Sequence, residues 1–102
     1  MINTIMSGAE EEVINAIRRH MDRFGSNPNT WYVGIAENIR KKLFEDHQVS
    51  EQNGKWIYRA LESNADAMEI KKHLVALGLK GDNNDDENGN IIFAFEKPDL
   101  GN

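Results

Sequence analysis

The sequence predicts a single α+β domain: a small three-stranded sheet with three helices, in the order α-β-α-β-α-β. Three observations predict it. Two stretches repeat apolar residues every three or four positions, the period of a helix with one buried face. Three short runs are rich in β-branched and aromatic side chains, the composition of strands. The chain has 102 residues, 39% hydrophobic and 28% charged, which suits one globular unit rather than a disordered chain.

The first helix is expected over residues 8–24. Ser7 and Glu10 have capping-box spacing, and Glu10, Glu11 and Glu12 suit the positive end of a helix. Val13, Ile14, Ile17, Met21 and Phe24 form its apolar stripe, and Gly25 is the expected stop. Ser26 to Asn29 reads as a loop, and Thr30 to Ile35 as a strand. Gly34 in that strand implies a close backbone approach or a bend. Glu37 to Asp46 reads as a short helix with Ile39, Leu43 and Phe44 on one side, and Lys55 to Leu61 as a second strand. Ser63 with Asp66 marks a third helix, carried by Ala67, Ile70, Leu74 and Leu77 and ended by Gly78. Residues 82–90 form an acidic loop. Ile91 to Phe95 is the third strand, ended by Pro98. Helices carried between strands ordinarily favour parallel pairing, but the short connections leave strand order and direction open.

Composition removes several function classes. Without cysteine there is no disulfide framework, thiol catalysis or Cys-based zinc site. No apolar run reaches the ~18 residues that span a bilayer, and Met1 to Ser7 lacks the basic start of a signal peptide. A cytoplasmic protein without a membrane anchor is expected. The net charge of −5 arises in the C-terminal fifth: Asp82, Asp85, Asp86, Glu87, Glu96 and Asp99 face only Lys97. Residues 1–81 hold equal numbers of acidic and basic side chains, so any nucleic-acid footprint must be local.

The stretch Trp31-Tyr32-Val33-Gly34-Ile35-Ala36-Glu37-Asn38-Ile39-Arg40-Lys41-Lys42-Leu43-Phe44-Glu45-Asp46-His47 carries the most information. It resembles the second motif of the GIY-YIG endonuclease family. Tyr32-Val33-Gly34 fills the strand motif, Lys41-Lys42-Leu43 the basic start of the following helix, and His47 the later histidine. The resemblance covers most of residues 30–97, is specific only in the stretch quoted, and implies that fold, with Tyr32, His47 and a helix carboxylate around a scissile phosphate. It also implies Mg²⁺ as cofactor if the chemistry is intact, with Glu69 the one candidate to hold it. A metal and a guanidinium would neutralise the phosphate oxygens, and a tyrosine or histidine would handle the proton of the attacking water. Three positions depart from the pattern. No first-motif Gly-Ile-Tyr is present, Lys42 stands where the family has arginine, and Lys71 falls near the metal glutamate. Lysine lacks the bidentate fork that suits phosphate.

Each candidate site also has a plain structural reading. Trp31, Trp56 and Tyr58 offer bases a stacking surface, yet strand aromatics more often fill a core. Arg40, Lys41, Lys42 and Arg59, with Lys71 and Lys72, would make one basic face that meets phosphates, unless Glu37, Glu45, Asp46 and Glu69 balance them. Asn84, Asp86, Asn88 and Gly89 have calcium-loop spacing, but Phe95 occupies the position that needs a bidentate glutamate.

The expected function is therefore a GIY-YIG-like domain with weakened or lost nuclease chemistry, associated with nucleic acid or with a protein. One alternative is a small acidic interaction module or inhibitor, such as a mobile element encodes, binding a basic protein through residues 82–87. The other is an active metal-dependent phosphodiesterase.

Overall fold

The computed structural model describes residues 8–25, 27–81 and 83–97. Met1, Ser7, Ser26, Asp82, Pro98 and Asp99, named above, lie outside them. Helix α1 spans Gly8–Arg23, strand β1 Trp31–Ala36, strand β2 Trp56–Ala60, helix α2 Asn64–Ala76 and strand β3 Ile91–Glu96. Between β1 and β2 lies a short π-helix, Arg40–Asp46. Its wide winding shows in the bond from His47 N–H to the Lys42 carbonyl, five residues back. Glu37 and Asn38 stay outside it, and the Asn38 side chain accepts from Lys41 N–H to start it. No helix among the described residues is long and apolar enough to cross a membrane.

The sheet is antiparallel throughout, with β3 in the middle: β1-β3-β2. The connecting chain explains the direction. After α2, Lys80 and later Asp86 bond β1 along its length, with Lys80 paired in parallel: Val33 N–H donates to the Lys80 carbonyl, Lys80 N–H to the Trp31 carbonyl and Asp86 N–H to the Ile35 carbonyl. The chain then doubles back at Gly89 and descends as β3 on the other side of β1. The last strand thus enters between the first two, running against both.

Alternation along the strands divides the core into two layers. Trp31, Val33, Ile35, Ile57, Ile92 and Ala94 face α1 and α2, which contribute Ile14, Ile17 and Met21, and Ala67, Ile70 and Leu74. Tyr32, Phe93 and Phe95 face the other way, under Leu43 of the π-helix, with Phe44 and Trp56 packed beside them. Gly34 is what lets this second layer close. A Cβ there would stand 2.6 Å from the Phe93 ring, so the ring lies directly on the strand backbone. Gly25 and Gly78 end α1 and α2 with positive φ, and Ser63 caps α2 by accepting from Asp66 N–H at 3.1 Å.

Candidate nucleic-acid interface

The residues expected to form a catalytic site divide between the two sides of the sheet. Tyr32 and His47 do meet, their ring centroids 4.8 Å apart, in a cluster with Phe93 and Phe95. Glu69 does not join them. It projects from α2, whose buried face packs on the opposite side of the sheet. Among the described residues no three His, Asp or Glu side chains gather into a metal-ligand set. Glu69, the carboxylate expected to hold Mg²⁺, therefore does not face Tyr32 and His47. Trp31 is wholly buried and belongs to the core rather than to a stacking surface.

Four cations of the expected basic face, Arg40, Lys41, Lys42 and Lys71, are paired within the fold. Arg40 makes a two-pronged contact with Glu51, its Nη2 2.8 Å from Oε1. Lys41 meets Asp46 at 3.3 Å and Lys42 meets Asp86 at 3.1 Å. Lys71 pairs with Asp85 and Lys55 with Glu96. The acidic loop is the source of two of these partners, and it has a second task. The Asp85 carboxylate accepts Ile35 N–H at 3.0 Å, and that of Asp86 accepts Glu37 N–H at 2.9 Å. The loop closes the outer edge of β1 by bonding its backbone groups, as an exposed edge requires.

The other edge of the sheet is built differently. A groove of about 720 Å³ runs between α1 and β2, lined by Arg19, His20 and Arg23 on the helix and by residues 56–60 along the strand. Ala16, Arg19, His20 and Arg23 form a second stripe on α1, beside the apolar one. Arg59 reaches the same groove from β2, its side chain on the α1 side with Ile57. None of Arg19, Arg23 and Arg59 lies within ion-pair distance of a carboxylate among the described residues. Their charge is felt inside the groove. Burial lowers the pKa of His20 below 6.5, and the charges of Arg23 and Arg59 lower it further, against a hydrogen bond to the Trp56 backbone that acts the other way. The imidazole Nε2 is enclosed and has no partner. Phe24 and Trp31 stand edge-on to the ring at 5.1 and 5.9 Å.

The strand backbone adds to this positive character. Leu61 N–H donates to the Asn90 carbonyl and Glu96 N–H to the Lys55 carbonyl. With that register, the odd-numbered residues of β2 bond to β3, and Trp56, Tyr58 and Ala60 turn their backbone groups to the open edge. Arg59 Nη1 donates to the Tyr58 carbonyl at 2.7 Å. One outward acceptor is thus covered, while the N–H groups of Trp56, Tyr58 and Ala60 point away from β3 along the strand that lines the groove. Guanidinium groups and backbone N–H groups aimed into one concavity are the elements of an anion site.

Of the binding residues expected from sequence, Arg59 lies in this groove, and Trp56 and Tyr58 border it. Arg19, His20 and Arg23 were not among them, because on α1 they read as the polar side of an amphipathic helix. The signal available was their spacing as a second stripe. Comparison of the chain with protein families, with curated proteins and with solved structures finds no match, so the groove is read from its own chemistry.

Proposed function

We propose that the chain is a nucleic-acid-associated domain that binds the phosphate backbone in the α1–β2 groove and lacks the nuclease chemistry of the family its Tyr32 to His47 stretch resembles. One observation carries this reading: Arg19, Arg23 and Arg59 converge without a carboxylate, while Arg40, Lys41, Lys42, Lys55 and Lys71 are each paired. Unpaired arginines are the residue type suited to phosphate. On a chain of net charge −5, such a cluster opposes the general field. The loss of chemistry is supported by Lys42, which is held by Asp86, and by Glu69, which lies across the sheet from Tyr32 and His47. The alternative of an acidic module binding a basic protein through residues 82–87 has less support, because Asp85 and Asp86 are engaged within the fold.

Titration of labelled oligonucleotides by fluorescence anisotropy tests the reading. Three phosphate contacts predict an affinity that falls with salt with a log–log slope of about 2 on single strands. Arg23→Gln with Arg59→Gln should abolish binding, and Arg40→Gln with Lys41→Gln, an equal change of charge, should leave it intact. Equal losses in both double variants would reject the groove. Mg²⁺-dependent cleavage removed by Tyr32→Phe would reject the loss of chemistry.

A further inference from the structure

Resting on that phosphate-binding reading, we infer that the groove takes single-stranded rather than duplex nucleic acid, with the strand laid along β2, its phosphates toward α1 and its bases on Tyr58 and Trp56.

The inference starts from the position of β2 at the open edge of the sheet. Arg59 and Ile57 point toward α1, and Trp56 and Tyr58 point to the opposite face. The cations and the rings are therefore separated by the width of one strand and border the same edge. A single strand has a matching division, with charge along one side and bases along the other. In a duplex the flat faces of the bases are hidden in the stack, so the rings would add nothing.

The rings are held ready for such contact. Trp56 and Tyr58 lie 6.1 Å apart at an interplanar angle of 13°. Trp56 is fixed by the edge-on Phe44 ring at 5.1 Å and by its Nε1–H bond to the Glu51 carbonyl at 3.2 Å. Tyr58 is 40% exposed and lies at the uncovered end of this shelf. An exposed ring already locked in place costs little entropy to bind, and a stacking platform beside a cationic track is how single strands are held without sequence readout. The edge itself argues against the competing occupant, an added peptide strand. Such a strand needs outward carbonyls as well as N–H groups, and that of Tyr58, at the middle of the edge, already accepts from Arg59.

The test compares oligo-dT, oligo-U, a hairpin duplex and inorganic polyphosphate on the whole chain at low salt. Both single strands should bind at least about tenfold more tightly than the duplex. Tyr58→Ala should weaken oligonucleotide binding by about tenfold or more, and leave polyphosphate binding unchanged. Tyr58→Phe should retain wild-type affinity. Circular dichroism confirms that each variant is folded. A duplex bound as tightly as the single strands, with Tyr58→Ala without effect, would overturn the inference and leave the phosphate site standing. If neither oligonucleotide nor polyphosphate binds, the phosphate reading falls as well.

Discussion

Lys42 and Asp86, 44 positions apart in the chain, are joined by a bond of 3.1 Å from Nζ to Oδ1. The same carboxylate accepts Glu37 N–H, and the same ammonium donates to the Asn84 carbonyl. A cation expected to meet phosphate and an acid expected to meet a partner thus complete one another at the edge of β1.

Removing Asp86 should therefore act on the fold. Asp86→Ala leaves the Glu37 N–H and the Lys42 ammonium without this acceptor, at a cost of about 1–3 kcal/mol. Urea denaturation should show a lower midpoint at an unchanged m-value. The backbone N–H of Glu37 is the main cause holding the Asp86 pKa below 3.8, with Lys42 adding to it. A depressed carboxyl contributes stability that is whole above its ordinary pKa and is lost as pH falls through the folded value. Asp86→Asn should accordingly flatten the loss of stability below about pH 4.

His20 titrates in a higher window. Its folded pKa lies below 6.5, chiefly through burial and then through Arg23 and Arg59. As pH falls the unfolded chain takes the proton first, so stability is whole above about 6.5 and declines toward the lowered folded value. NMR titration of the imidazole should find its pKa raised in Arg23→Gln and in Arg59→Gln. It should also rise when polyphosphate fills the groove. A pKa unmoved by either substitution would mean that the arginines do not face this ring.

Gly34→Ala places a methyl group against the Phe93 ring, which is wholly buried and stacked parallel to Phe95. Overpacking of this kind costs about 1–3 kcal/mol. Phe93→Leu makes room at the ring tip, so the double variant should be more stable than the sum of the two changes predicts. Strict additivity would show that the ring moves aside freely.

Ser63→Ala removes the acceptor for Asp66 N–H and should cost about 1 kcal/mol. Ser63→Asp, which restores an acceptor at the helix start, should recover most of it.

Features set by a few neighbouring residues were legible in the sequence. Ser63, Gly25 and Gly78 bounded two helices, and β-branched runs located three strands. The alternation that separated Trp56 and Tyr58 from Ile57 and Arg59 also holds. Features set by distant partners were not legible. Nothing near Asp85 or Asp86 indicates that they bond Ile35 and Glu37, and without that link β3 had no reason to enter the middle of the sheet. The short helix expected from Glu37 begins only at Arg40, where the Asn38 side chain accepts Lys41 N–H. Phe24, placed on the apolar stripe of α1, is 37% exposed and carries the Lys55 ammonium 5.2 Å from its ring centre. The arginine groove needs α1 and β2 side by side, and no local pattern announces that contact.

The unequal edges of the sheet also limit how this protein can associate with itself. Fibre growth by strand addition needs a donor edge and an acceptor edge on every copy. Here Lys80, Asp85 and Asp86 bond one edge, and on the other Arg59 covers the Tyr58 carbonyl. Two copies meeting at β2 would bring Arg19, Arg23 and Arg59 of each against those of the other. Even that contact would stop at a pair, because neither copy has a second edge to offer.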